Sequence, residues 1–186
     1  MKQGLIALGL LASVSMTAPA SAQQPSYAED RAQIVNLSNH YMAAVDAGDI
    51  DTVMGTWADD GVLDWVGGVE HGKEAIHKAM GNFGGAGAMG SLPAGATERP
   101  RTRHQIINHV ITVDGDTAKS FAYWFAMSNR TTHGQVGLVF MGHYEDELAR
   151  IDGQWKFKKR TVYNESLHNK AIFYPGLGER DPRKAN

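Results

Sequence analysis

Cysteine is missing from this chain of 186 residues. No disulfide can form, so packing and hydrogen bonds alone must hold whatever fold it takes. A strong charge imbalance is missing too: 18 Lys and Arg stand against 20 Asp and Glu, a net charge of -2. Such a balance sets up no field that would draw nucleic acid or an anionic membrane surface. The apolar stretch Gly4 to Met16 falls short of the ~20 residues that a bilayer-spanning helix needs. There is no Gly-x-Ser-x-Gly elbow for a hydrolase serine and no His-x-x-x-His pair on a helix for zinc.

What is present begins with a leader. Met1-Lys2-Gln3 is short and basic, Gly4 to Met16 is apolar, and Ala20-Ser21-Ala22 has the small-x-small form of a cleavage site. That order of segments is a secretory signal, so the mature chain is expected to start near Gln23 and to be periplasmic or secreted. We therefore set residues 1–22 apart from a folded domain expected over 23–168, with an irregular tail over 169–186. About 160 residues is close to the usual size of one domain.

Ser26 with Glu29 three residues on forms a capping box that opens a helix. Ile34, Leu37, Tyr41, Met42 and Val45 then recur at helical spacing, and Gly48 fits the stop. Asp49 is placed to cap a short second helix toward Trp57, and Lys73 to Phe83 reads as a third. Between these, Asp59-Asp60-Gly61 reads as a turn before a strand from Val62 to Val66. Gly84 to Pro100, rich in Gly and Ala and without a period, is expected to be a long loop of the kind that serves as a lid.

From Arg101 the pattern turns to strands: Arg103 to Val113, Ala118 to Ser128, Val136 to Ile151 and Trp155 to Tyr163. Asp114-Gly115 and Asp152-Gly153 are hairpin signals between them. The basic stretch Lys156 to Arg160 alternates with Trp155 and Phe157, as the solvated face of a strand does. Helices first and long antiparallel strands afterwards is an α+β order. The simplest packing bends the sheet around the helices and leaves an apolar pocket at its open end.

Two apparent motifs carry little weight. Gly85-Ala86-Gly87-Ala88-Met89-Gly90 has dinucleotide-binding spacing, but no strand delivers it and Ser91-Leu92-Pro93 follows instead of a helix. His104 and His109 stand five residues apart on a strand, which directs them to opposite faces. No cofactor and no metal is expected.

Three features can carry chemistry. Asp46 lies at the end of the first helix, His104 opens the first long strand, and Tyr41, Trp57, Trp65, Tyr123, Trp124, Tyr144 and Tyr163 are spread over every element able to line a cavity. A histidine oriented by an aspartate has a set tautomer and moves protons near neutral pH. Each piece also has a plain structural reading: Asp46 as a cap at Gly48, His104 as a core histidine, the aromatics as core.

Tyr41…Asp46-Ala47-Gly48-Asp49…Trp57-Ala58-Asp59-Asp60, then Gly72-Lys73-Glu74-Ala75-Ile76, forms a longer pattern. It continues through Arg103-His104…Asn108…Val113-Asp114-Gly115-Asp116-Thr117-Ala118, Gly142-His143-Tyr144 and Asp152-Gly153-Gln154-Trp155-Lys156-Phe157. From Tyr27 to Val162 the chain thereby resembles the SnoaL-like branch of the nuclear transport factor two-like superfamily. The resemblance implies a cone-shaped α+β barrel, a curved antiparallel sheet wrapped on helices around a deep apolar pocket. Relatives include scytalone dehydratase, polyketide cyclases, ketosteroid isomerases, cofactor-free lyases of lignin-derived aromatic dimers, and proteins that only bind ligands.

Carried over, Asp46 matches the family's helix-end aspartate and His104 its strand histidine, while Trp65 falls where scytalone dehydratase has a pocket tyrosine. A second catalytic histidine of that enzyme would fall near Ala122, a departure that argues against the same reaction on the same substrate. His143 or Tyr144 could supply the missing proton donor, and Tyr41, Trp65, Trp124, His143, Tyr144 and Tyr163 are the expected pocket residues. The implied activity is a cofactor-independent lyase or dehydratase acting on a small hydrophobic, aromatic substrate by elimination or retro-aldol-type cleavage. An isomerase or cyclase, or a periplasmic small-molecule-binding protein, would use the same pocket. A homodimer or homotrimer is expected, with neither nucleic acid nor, after signal cleavage, membrane as partner.

Overall fold

The computed structural model describes residues 26–84, 101–129 and 135–166. The expected signal segment, the expected long loop beyond Gly84, the expected turn near His133-Gly134 and the expected tail all lie outside the described residues.

Helix α1 spans Tyr27–Ala47. Its capping box is made in full: Ser26 Oγ accepts from the Glu29 N–H, and the Glu29 carboxylate accepts from the Ser26 N–H. At the other end Gly48 takes the left-handed conformation, φ 72°, that lets its N–H close on Ala44 and Val45 carbonyls. Helix α2, Ile50–Gly55, starts on the Asp49 cap, and α3 covers Lys73–Gly84. Ile34, Tyr41, Met42, Val53, Met54, Ile76 and Met80 turn the helices' apolar faces onto one core with Trp57, Leu63, Trp155 and Phe157 of the sheet.

The sheet has six strands: β1 Trp57–Trp65, β2 Gly68–His71, β3 Thr102–Asp114, β4 Thr117–Ser128, β5 Gly137–Ile151 and β6 Gln154–Asn164. Their spatial order is β2-β1-β6-β5-β4-β3, a curved, unclosed sheet in an α+β fold. The expected antiparallel pairing holds everywhere except between β1 and β6, which run parallel. Two further readings change. Asp59-Asp60-Gly61 is not a turn but lies inside β1, where a register shift between Trp57 and Val62 absorbs it. The short strand β2 had too few residues to announce itself.

Edge strand β3 would leave a row of backbone groups unpaired. Helix α1 packs along it and reaches those groups with side chains. Tyr27 Oη donates to the Ile111 carbonyl at 3.0 Å, Arg31 Nη1 to the His109 carbonyl at 3.2 Å, and the His104 N–H donates to Asp46 Oδ2 at 2.9 Å. The seam between α1 and β3 is therefore held by hydrogen bonds, and the candidate site sits at its end.

Two of the sheet's register shifts decide which side chains face the interior near the site. Asn108, at φ 52°, interrupts β3, so that Ile107 pairs with Tyr123 but Val110 with Phe121. On β6, Phe157 pairs with Leu148 and Lys159 with Glu147, leaving Lys158 as the extra residue. One extra residue reverses the in–out alternation beyond it.

Candidate active site

Asp46 lies in the last turn of α1, next to the carbonyl end of the helix, where the macrodipole disfavours a carboxylate. Two donors from β3 offset this. The His104 main-chain N–H binds Oδ2, and His104 Nδ1 lies 2.6 Å from Oδ1. The same strand gives a third tie, from Arg103 Nη1 to the Asp46 carbonyl at 3.3 Å. The side chains of Asp46 and His104 keep only 9% and 16% of their exposure, so water screens the pair weakly. With the carboxylate ionised, a neutral imidazole carries its proton on Nδ1 and presents a free lone pair at Nε2. That is the arrangement of a general base.

A cavity of about 370 Å³ reaches both residues; Asn39, Met42, Ala43, Ala47, Arg103, Gln105 and Ile106 complete its walls. The size suits a ligand of one or two rings. Its wall is more polar than the apolar pocket foreseen, because the seam exposes the outward-facing Arg103 and Gln105 beside Met42 and Ile106.

Behind His104 the inward side chains of the sheet form layers. Trp124 lies 6.0 Å from the His104 ring, and Tyr144 stacks on Trp124 at 5.7 Å and 19°. Tyr144 is buried, and its hydroxyl donates to Met42 Sδ at 3.6 Å. Burial pushes the Tyr144 phenol far above its ordinary value, only partly opposed by the Arg160 charge, so it keeps its proton. Tyr41 is core: its ring meets Trp57 and Phe157 edge-on, and its hydroxyl donates to Met80 Sδ. Trp65 ends β1, separated from β3 by β6, β5 and β4, and its indole folds over Gly67, where a Cβ would meet it at 2.7 Å.

His143 and Tyr163 do not belong to this pocket. They face each other across β5 and β6 on the outer side of the sheet, ring centroids 4.3 Å apart. His143 is hydrogen-bonded there to Glu165 and packs on Phe121. The reason is the strand period: Tyr144 points inward, so its chain neighbour His143 points out. His109 departs from expectation in the other direction. The Asn108 bulge turns it toward the interior, within the fields of Asp146 and Arg160, and burial holds its imidazole below the ordinary 6.5.

The interior also holds a pair that the sequence hid. Arg160, read as part of a solvated face, is 1% exposed. Its Nε and Nη2 donate to the two Asp146 oxygens at 2.8 Å each, and Ser120 Oγ adds a bond at 3.0 Å. The guanidinium lies 4.0 Å from the Phe157 ring, 4.3 Å from Tyr144 and 4.5 Å from Tyr41. Burial works against the charge, but the Asp146 carboxylate outweighs it and raises the Arg160 pKa. The signal available in the sequence was an Asp among the apolar inward positions of β5; the bulge at Lys158 concealed its partner. Among the described residues no group of three or more His, Asp or Glu side chains is arranged to hold a metal ion.

A curved, unclosed six-stranded sheet wrapped on three helices is the nuclear transport factor two-like architecture. The SnoaL-like domain model matches residues 26–161, and the chain belongs to that family, whose fold binds small hydrophobic ligands. Solved structures agree with the fold. A provisionally named aromatic ring hydroxylase from Novosphingobium aromaticivorans is 29% identical over 74% of this chain and 90% of its own, with a TM-score of 0.58. A provisionally named scytalone dehydratase from the same organism is 20% identical, covering 75% and 89%, at 0.58. A Mycobacterium tuberculosis protein of unknown function is 23% identical, covering 75% and 73%, at 0.61. Among curated proteins none matches the chain.

Proposed function

We propose that this protein is a cofactor-independent acid–base lyase of small ring-bearing compounds, with His104 as the proton-transfer group and Asp46 as its orienting partner. The observation that carries the reading is the clamp on Asp46: one carboxylate accepts both the main-chain N–H and, at 2.6 Å, the ring Nδ1 of the same histidine. Backbone and imidazole are thereby set by one group, which is more than a capping aspartate would need. Nε2 removes a proton from a carbon next to the one that bears a hydroxyl, the C–O bond breaks, and the imidazolium returns the proton to the departing oxygen as water. One group serving both steps fits the surroundings. His143 faces away, and the Tyr144 and Tyr41 hydroxyls are each turned to a methionine sulfur. The names given to the aromatic ring hydroxylase and scytalone dehydratase relatives lend support to an aromatic substrate. A proton-shuttling isomerase would use the same base and leave the substrate mass unchanged.

Purified protein incubated with a panel of aromatic alcohols should release products lighter by one water. His104→Ala should lose about 10²–10⁴ of that rate, the usual contribution of a positioned acid–base group. Full turnover by the variant would dispose of His104 as the base. Ligand retained without any product would favour a binding protein. We also propose self-association through the outer face of β3 to β5, where Ile107, Val110, Tyr123, Leu138 and Met141 are exposed together. Sedimentation of a monomer at micromolar concentration would refute it.

A further inference from the structure

Trp124 is 5% exposed, and its Nε1–H finds no hydrogen-bond partner among the described residues. Buried indole N–H groups normally find one, because a buried donor left without a partner keeps the full cost of its lost hydration. Trp155 shows the usual outcome, since its Nε1 donates to Asp30 at 3.2 Å. Trp57 Nε1 also lacks a described partner, but that ring is packed tightly between Tyr41 and Phe157.

The position of Trp124 is different. It stands on the inward face of β4, and its ring is 6.0 Å from that of His104. His104 is paired across the strands with Ala126, so Trp124 lies one inward position deeper than the base. Directly across from it on β5 is Gly142. A Cβ at Gly142 would come within 3.1 Å of Trp124 Cε2, the ring atom bonded to Nε1. The Cβ position at Gly142 is itself taken by the Tyr163 carbonyl oxygen, so no free volume opens on that side of the ring and the His104 side is the one left to a ligand.

Resting on the acid–base reading for the location of the substrate, we infer that Trp124 Nε1–H binds a neutral oxygen of a ring-bearing ligand held against His104. An indole donates and neither accepts nor ionises, so it selects an acceptor such as a ketone, aldehyde or ether oxygen. Depth discriminates further. The buried cation behind Tyr144 is already matched by Asp146, so beside Trp124 it offers a carboxylate no free counter-charge, while the Arg103 guanidinium stands on the outward face of β3. The flat Trp124–Tyr144 stack offers an aromatic ring a parallel surface. Where the base takes a proton next to a carbonyl, the same N–H would hold the oxygen as negative charge develops on it.

Two probes of one shape separate this from simple apolar binding: acetophenone, and α-methylstyrene, which has CH2 in place of the oxygen. The 15N-labelled protein should show indole N–H signals from its 4 tryptophans. The Trp124 signal is assigned by its loss in Trp124→Phe, which keeps a ring for the stack on Tyr144. Saturable downfield movement of that signal with acetophenone, and none with α-methylstyrene, is the expected result. Trp124→Phe should weaken acetophenone about tenfold and leave α-methylstyrene unchanged. Equal movement with both probes, or none up to the solubility of the ketone, overturns the inference. His104→Ala keeps the two ideas apart. If the indole signal still responds while turnover survives, the acid–base reading fails and the oxygen donor stands; if turnover is lost and the signal never moved, the reverse holds.

Discussion

Separating Arg160 from Asp146 should be the most damaging single change in the interior. Asp146 is 3% exposed and Arg160 1%, with two bonds of 2.8 Å between them. Asp146→Leu leaves a guanidinium in a dry core. Removing one partner of such a pair costs about 3–5 kcal/mol. The three aromatic rings at 4.0–4.5 Å persist in the variant and still attract the cation, each by up to ~2 kcal/mol, which places the loss near the lower end. For a domain of this size ~3 kcal/mol corresponds to a fall of roughly 6–12 °C in Tm. Arg160→Met alone strands the carboxylate, which keeps only the Ser120 hydroxyl among its described partners. The double variant Asp146→Leu/Arg160→Met removes both charges and should regain most of the stability. Urea unfolding followed by tryptophan fluorescence, with an unchanged m-value, measures all three variants. A cost below ~1 kcal/mol for Asp146→Leu, or a double variant as unstable as the sum of the singles, would refute the argument from desolvation.

Because burial holds His109 below its ordinary 6.5 in the folded state, the unfolded chain takes up the proton first as the pH falls. Its contribution is therefore present above the unfolded value and lost as the pH drops toward the folded one. His109→Leu should flatten the fall in urea midpoint between about pH 7.5 and 5, and an unaltered slope would exclude His109 as its source. Gly142→Ala should cost more than the ~1–3 kcal/mol usual for overpacking, since the new Cβ would collide with the Tyr163 carbonyl oxygen, a backbone atom that moves only if β5 and β6 part. Gly81→Ala, in α3 with no described atom within 4 Å of the added carbon, should instead raise stability by ~0.5–1 kcal/mol in the same melts.

Local signals carried much of the fold. The capping box at Ser26, the helical spacing from Ile34 to Val45 and the glycine at 48 bounded α1 correctly because each acts over a few residues. The Asp-Gly turns after Val113 and Ile151 did the same for the hairpins. Asp46 and His104 were singled out as residue types at the ends of two elements, and the structure brings them to 2.6 Å. Trp124 and Tyr144 were among the aromatics expected near the pocket, and they stand behind the histidine. His143 and Tyr163 were chosen with the same reasoning and lie on the opposite face.

By itself, then, the sequence determined the three helices, the caps of α1 and α2, the two Asp-Gly hairpin turns and the absence of any covalent staple, because those depend on near neighbours along the chain; β2 and the course of β1 through Asp59-Asp60-Gly61 were not among them. Which face each strand residue occupies was decided by the tertiary structure. The bulges at Asn108 and Lys158 each shift the two-residue alternation by one, turning His109 inward and bringing Arg160 onto Asp146. A one-residue slip reverses every side chain beyond it, and only pairing with the neighbouring strand says where the slip occurs.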